Sequence, residues 1–273
     1  MYLVIGGLST TIAGGLLYTF VFDQTTGNYL GLMPNVQEVT GNIFDCSWTR
    51  DGRYLAIATE FGGIAVVPFN AGTGEFGEPV YSDPAPVNSL AWSPDDNYLA
   101  SCSAGGLFIY RFNPISGTLL RTSPDSIDNV VSVSWHPSGK IIALGKFNAG
   151  VVRVETHIFN PEEGKIIGTP ISEKDFVTTN LIKVRFSPDG NYLAVAYGNV
   201  PMGLLMYTVN FDGSLAEEET VLNSGLSQLS NIDWSPDMRY ISVCGVKDGE
   251  SCATIYNPLR LPKSCFIENN RIN

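Results

Sequence analysis

The sequence predicts an all-β chain built from one four-stranded sheet repeated end to end, and three observations carry that expectation. First, all four tryptophans occupy one slot of a recurring phrase: Cys-Ser-Trp48-Thr-Arg-Asp-Gly-Arg-Tyr-Leu-Ala, Leu-Ala-Trp92-Ser-Pro-Asp-Asp-Asn-Tyr-Leu-Ala, Val-Ser-Trp135-His-Pro-Ser-Gly-Lys-Ile-Ile-Ala and Ile-Asp-Trp234-Ser-Pro-Asp-Met-Arg-Tyr-Ile-Ser. A fifth copy, Val-Arg-Phe186-Ser-Pro-Asp-Gly-Asn-Tyr-Leu-Ala, places Phe in that slot, and the steps between anchors are 44, 43, 51 and 48 residues. Second, each copy alternates apolar and polar residues with the period of two that belongs to strands. Third, no segment of useful length has helical periodicity. A period of roughly 40–50 residues made of short strands is the signature of a β-propeller, with about one blade per repeat.

Each strand of the repeat has its own local reason. The first strand ends on the aromatic anchor and carries an apolar partner two residues earlier (Leu90, Val133, Val184, Ile232). A tight turn follows, with Pro94, Pro137, Pro188 and Pro236 fixing φ at its first corner. Gly52, Gly139 and Gly190 supply its left-handed residue. Asp96 and Met238 stand at that last position instead; Asp tolerates the conformation, whereas Met predicts strain or a changed turn. The second strand opens on Tyr54, Tyr98, Tyr192 or Tyr240. The third, aromatic and β-branched, closes on a second turn of the type Phe112-Asn113-Pro114 or Phe159-Asn160-Pro161, often followed by Gly74, Gly117 or Gly164. The fourth strand is short and more polar, as suits an edge.

Laid out this way, residues 1–273 form one domain with repeats of about 1–40, 41–85, 86–128, 129–178, 179–228 and 229–273. Tyr2-Leu3-Val4 aligns with Tyr98-Leu99-Ala100, so the chain opens on a second strand. The expectation is six blades with an incomplete first blade; seven blades is the alternative. The C-terminal segment, a partner chain, or a first blade that stays three-stranded would each account for the missing innermost strand.

Bulk properties exclude some function classes. The 273 residues are 44% hydrophobic, enough for a large core, and carry a net charge of −11 with no run of Lys or Arg. Such a surface opposes non-specific contact with nucleic acid or anionic membranes. The five cysteines (Cys46, Cys102, Cys244, Cys252, Cys265) show no metal-ligand spacing and read as reduced, buried small hydrophobes, a Cys244–Cys252 bridge being the other option. The first 22 residues are uncharged, yet lack a basic start and contain four glycines. Gly15-Leu-Leu-Tyr-Thr-Phe-Val-Phe-Asp23 also parallels Gly203-Leu-Leu-Met-Tyr-Thr-Val-Asn-Phe-Asp212. The stretch reads as strand rather than signal peptide or membrane anchor, and the expected location is the cytoplasm or a particle assembled there.

The phrase Trp/Phe-Ser-Pro-Asp-Gly-x-Tyr-Leu-Ala, with its Phe-Asn-Pro-x-x-Gly-x-Leu turn, resembles the WD-repeat-like and lactonase-like β-propellers over almost the whole chain. The Gly-His and Trp-Asp signatures of strict WD repeats are absent, which places the resemblance with degenerate relatives. These propellers host enzymes, receptors and structural proteins, so the resemblance implies a fold rather than a reaction. Propellers of this type also occur as structural parts of large assemblies, tailed-phage virions among them.

Candidate chemistry is sparse. His136 replaces the Ser of the turn phrase and reads as a turn cap; His157 lies in a strand two residues after Glu155, on the same face. A Glu/His pair suits acid–base work only with a third convergent group. The glycine pairs fall at strand ends and read as turns, and Glu217-Glu218-Glu219 reads as a solvated edge. The most distinctive polar set lies on the innermost strands. Three residues before the anchors stand Asp45, Ser89, Ser132, Lys183 and Asn231; one residue before stand Ser47, Ala91, Ser134, Arg185 and Asp233. Asp45, Lys183, Arg185 and Asp233 are therefore the candidate polar lining of a central channel, with Arg185 and Asp233 also placed for an ion pair between consecutive blades. No catalytic, cofactor or metal-binding residue is assigned. The expectation is a non-enzymatic scaffold for protein partners in a larger assembly, a virion or tail component being one such setting. A lactonase-like hydrolase at the channel mouth and a glycan-binding propeller are the alternatives.

Overall fold

The computed structural model describes residues 2–8, 14–23, 25–26, 28–32, 37–82, 86–103, 105–122, 127–148, 151–177, 182–197, 203–223, 228–247 and 250–256, all strand, turn or irregular backbone. The chain divides into two compact units, Met1–Ile127 and Asp128–Asn273. Each contains three sheets made of consecutive antiparallel strands.

In the first unit, one sheet is formed by β1 (Tyr2–Leu8), β2 (Gly14–Phe22), β3 (Tyr29–Leu32) and β4 (Gln37–Thr40). The next comprises β5 (Ile43–Trp48), β6 (Tyr54–Thr59), β7 (Gly63–Asn70), β8 (Glu75–Phe76) and β9 (Val80–Ser82). The third comprises β10 (Ser89–Trp92), β11 (Tyr98–Ser103), β12 (Gly106–Asn113) and β13 (Thr118–Arg121). The second unit opens with β14 (Val130–Trp135), β15 (Ile141–Asn148), β16 (Val151–Asn160) and β17 (Lys165–Val177). It continues with β18 (Ile182–Phe186), β19 (Tyr192–Tyr197), β20 (Gly203–Val209) and β21 (Leu215–Asn223), then β22 (Gln228–Trp234), β23 (Ile241–Lys247) and β24 (Glu250–Tyr256). Among the described residues β1 pairs with β2 alone, as a second strand without a first. Residues 1–22, read above as strand, supply β1 and β2. No helix among the described residues is long and apolar enough to cross a membrane.

The outer strand of four sheets is interrupted. β3 and β4 both pair β2, and β8 and β9 both pair β7. In β17 and β21 the same break is a register shift, opposite Thr156/Ile158 and Tyr207/Val209. Breakers sit there: Gly77 and Pro79 between β8 and β9, Gly168 and Pro170 within β17.

Apolar residues on alternate positions of neighbouring sheets interdigitate. In the first unit Ala56, Ala58, Ile64 and Val66 meet Leu90, Trp92, Leu99 and Tyr110. In the second, Ala143, Val152 and Val154 meet Val184, Phe186, Leu205 and Tyr207. Trp92, Trp135, Phe186 and Trp234 are buried, as expected of anchors, while Trp48 is only partly buried. The sheet before Trp48 offers no first strand among its described residues to cover the ring.

The turn after each anchor explains its sequence. The hydroxyl of Ser93 accepts the Tyr98 N–H at 2.9 Å and donates to the Asp95 carboxylate at 2.6 Å. Ser187/Asp189/Tyr192 and Ser235/Asp237/Tyr240 repeat the relay, and Thr49/Asp51/Tyr54 does so with threonine. Met238 keeps the turn rather than changing it. Its φ is +60° and its N–H still bonds Ser235 O at 2.9 Å, so the backbone strain expected of a side chain there is present. Cys252 pairs with Gly245, one residue out of register with Cys244, and the side chain of Cys252 lies outside the described residues.

These turn carboxylates titrate low. Hydrogen bonds from the Ser235 hydroxyl, the Arg239 N–H and the Arg239 side chain lower Asp237 from 3.8 to about 2. At Asp95 and Asp189 burial opposes the charge, but hydrogen bonds from Ser93 and Asn97, and from Ser187 and Asn191, prevail and hold the carboxyl below its ordinary value. A folded-state value below the unfolded one gives stability that is complete above the unfolded pKa and is lost as pH falls through the folded one. The melting temperature is therefore expected to hold down to pH about 4 and to fall between there and about 2. Circular-dichroism melts across that range check it. A melting temperature that declines already from pH 7 to 5 would show that other groups dominate.

Candidate functional site

The first strands of neighbouring sheets lie side by side within each unit, and their polar side chains form a ladder with a fixed rule. The side chain three residues before one anchor accepts the N–H two residues before the next anchor. The side chain one residue before an anchor can likewise accept the next anchor's own N–H, as Ser134 does. Ser132 Oγ thus accepts Val184 N–H at 3.1 Å, and Ser134 Oγ accepts Phe186 N–H at 3.0 Å. Asp45 follows the rule in the first unit: its Oδ2 accepts Leu90 N–H at 3.1 Å and the Ser89 hydroxyl at 2.8 Å, while Oδ1 accepts its neighbour Cys46 N–H at 2.9 Å. Register shifts before Asp45, Ser132 and Asn231 place one extra residue (Phe44, Val131, Ser230) in the first strand. A bulge of this kind re-aims the side chain that follows.

The anchors add a second tie. The Trp92 indole N–H donates to Ser47 O at 2.9 Å, and that of Trp234 to Arg185 O at 3.3 Å. Two of the rings also meet an aromatic from the end of their own sheet's third strand: Trp92 packs edge-on against Phe112 at 4.8 Å and Trp135 against Phe159 at 4.6 Å.

At β18 the rule breaks. Lys183 and Arg185 occupy the two accepting positions, and neither side chain has an acceptor to offer. The N–H groups of β22 that depend on them are capped from within β22 itself: Asn231 Oδ1 accepts Ile232 N–H at 2.9 Å, and Asp233 Oδ1 accepts Trp234 N–H at 3.0 Å. Arg185 and Asp233 do meet, as the sequence suggested, but loosely. Nε stands 3.6 Å from Oδ1, and the two side chains are 24% and 71% exposed. An ion pair so open to solvent contributes little. Of the four predicted lining residues, Lys183, Arg185 and Asp233 share one strand pair. Asp45 belongs to the other unit, and its carboxylate is fully engaged there.

The Glu155–His157 pair gains the third group that its sequence lacked. His157 Nε2 is 2.9 Å from Glu155 Oε2, and Lys146 Nζ is 3.1 Å from Oε1. Glu155 and His157 are each only 3% exposed, and His157 Nδ1 and Thr156 Oγ1 have no hydrogen-bond partner among the described residues. Burial opposes the charge on Glu155, but the bonds from His157 and Lys146 and the Lys146 charge outweigh it, holding the carboxyl below its ordinary value. Lys146 was legible in principle: Glu155 lies opposite Leu144 in the hairpin, which puts Lys146 on the adjacent diagonal.

His136 caps its turn as expected. Its Nδ1 accepts Ser138 N–H at 3.0 Å, so Nε2 carries the proton and donates to Gly190 O at 3.1 Å in the next sheet. Burial lowers its pKa, against the opposing pull of the Gly190 carbonyl and the Asp189 charge. The ring also explains Gly190 beyond its φ of +78°, because a Cβ there would lie 2.3 Å from Nε2.

Comparison with known proteins supports a WD-repeat-like β-propeller. Residues 77–110 match the WD40 model (WD domain, G-beta repeat). That segment begins beside β9 and ends within β12, so the sequence repeat straddles two sheets. An uncharacterised WD repeat-containing protein of Synechocystis is 28% identical over 171 residues, covering 62% of this chain and 45% of that protein. The chain spans less than half the length of the curated relatives it matches. Among solved structures, the periplasmic gluconolactonase of Pseudomonas aeruginosa superposes with a TM-score of 0.68 at 19% identity, over 98% of this chain and 80% of that one. The WD40 domain of Toxoplasma gondii coronin gives 0.63 at 16% identity, over 94% and 65%. At such identities the likeness is one of fold alone.

Proposed function

We propose that this chain is a six-bladed, non-enzymatic propeller scaffold that offers its loops to a protein partner as a subunit of a larger assembly, a virion or tail being one setting. The observation that supports the reading is how the polar side chains are used. Asp45, Ser132, Ser134, Asn231 and Asp233 accept backbone N–H groups, and the Glu155–His157 pair is buried, with Lys146 bonded to its carboxylate. The connecting turns, in contrast, carry solvent-exposed apolar side chains, with Phe61, Ile115 and Phe211 outermost. A rigid repeat frame with variable exposed turns suits protein contact.

A hydrolase reading is favoured by the superposition on a gluconolactonase. Native mass spectrometry of the protein isolated from its source, run beside a lactone and ester hydrolysis screen and a glycan array, separates the readings. The expected result is a stoichiometric protein complex without turnover. Turnover abolished by Arg185→Met or Glu155→Gln would overturn the proposal in favour of the hydrolase, and a saturable glycan in place of a protein partner would overturn it in favour of a lectin-like role.

A further inference from the structure

We infer that Lys183 and Arg185 form a binding site for an oxyanion, a phosphate or a carboxylate, on the first strand of the fifth repeat. Two residues apart on β18, they project from the same face. Lys183 is 7% exposed as a residue, yet among the described residues no carboxylate pairs with its ammonium group. Arg185 Nε is buried and makes no hydrogen bond among the described residues, its nearest anion being Asp233 Oδ1 at 3.6 Å. The Lys183 stem is thus largely buried while its ammonium, which is not among the sealed-off polar atoms, stays open to an anion from outside.

The surroundings point the same way. At Asp45, Ser132 and Ser134 these positions hold acceptors that tie one sheet to the next. Here both are exchanged for donors, and Asn231 and Asp233 are present to cap the N–H groups that the exchange would orphan. The two exchanges remove the acceptors of β18 and leave a pair of cations with one loosely held, largely exposed carboxylate. The local balance is positive in a chain whose net charge is −11. A guanidinium and an ammonium on one strand face suit an oxyanion, the guanidinium offering a two-pronged contact and the ammonium a point charge. This site does not depend on the scaffold reading, since a small anion and an acidic side chain of a bound chain present the same chemistry.

The test follows the amide signals of Ile232 and Trp234 and the Trp234 indole signal by NMR at constant ionic strength. Inorganic phosphate is titrated in one arm and a hexaglutamate peptide in another. The expected result is a saturable shift in at least one arm, phosphate identifying a free anion and the peptide an acidic segment as the source. Lys183→Met should weaken it about tenfold or more, the loss of one charge-assisted hydrogen bond. Asp233→Asn keeps the acceptor for Trp234 N–H but removes the competing charge, so it should tighten binding. Shifts that fail to saturate in both arms overturn the proposal, as does an affinity unchanged by Lys183→Met. Weaker binding in Asp233→Asn also overturns it, because the carboxylate would then be a ligand rather than a competitor. Should Arg185→Met disturb folding, the other two variants still decide the matter.

Discussion

Replacing Trp92 by alanine is expected to destabilise the protein by about 3–5 kcal/mol, the range for deleting a large buried aromatic. Trp92 is 8% exposed, packs edge-on against Phe112 and reaches the adjacent sheet through its indole N–H. Its loss opens a cavity and also leaves the Ser47 carbonyl without its donor. Trp92→Phe keeps most of the ring and removes the donor, so its smaller loss of roughly 1–3 kcal/mol isolates the inter-sheet bond. Glu162→Ala, at an exposed turn position, should be close to neutral. Urea denaturation of the three variants checks the order. A Trp92→Ala protein as stable as Glu162→Ala would show that the anchors do not hold the sheets.

The second large effect is expected at Glu155. Glu155→Ala removes the acceptor of both Lys146 and His157 and leaves His157 with neither ring nitrogen satisfied among the described residues. Removing one member of a buried charged pair destabilises by roughly 3–5 kcal/mol. The value here should fall at the lower end, because the Lys146 side chain is 23% exposed and its ammonium can turn to water. Glu155→Gln keeps shape and acceptor and should cost less. The triple variant Lys146→Met, Glu155→Leu, His157→Leu should recover much of the loss, since it leaves no charge behind. Denaturant midpoints measure all three, and a neutral Glu155→Ala would mean that the cluster is hydrated rather than sealed.

What the sequence reveals about this fold depends on how local the cause is. The anchors and the Ser-Pro-Asp-Gly turns are legible because each is dictated within a few residues: an aromatic, a φ-restricting proline, a left-handed glycine. Met238 shows the limit, since the turn persists although the residue argues against it; the Ser235–Asp237–Tyr240 relay holds the backbone in place. The breaks in β17 and β21 were not legible, because a register shift depends on the neighbouring strand as much as on the strand itself. Within the candidate site, the Arg185–Asp233 pairing follows from equivalent repeat positions. The self-capping by Asn231 and Asp233 does not, because it is a response to missing acceptors one sheet away. The contacts of Asp45 are equally hidden in the sequence: composition marks it as polar, and only the register shows that Leu90 and Ser89 donate to it.

The interrupted outer strands have a consequence for how copies of this protein behave in a crowd. An uninterrupted outer strand offers a row of free N–H and C=O groups on which a second molecule can zip, strand upon strand, into a growing cross-β stack. In β3/β4, β8/β9, β17 and β21 that row is cut after a few residues by a gap or a register shift. Incoming backbone finds only short, misaligned runs to pair with. Recognition at these edges then has to go through side chains, which can be selective, instead of through main chain, which cannot.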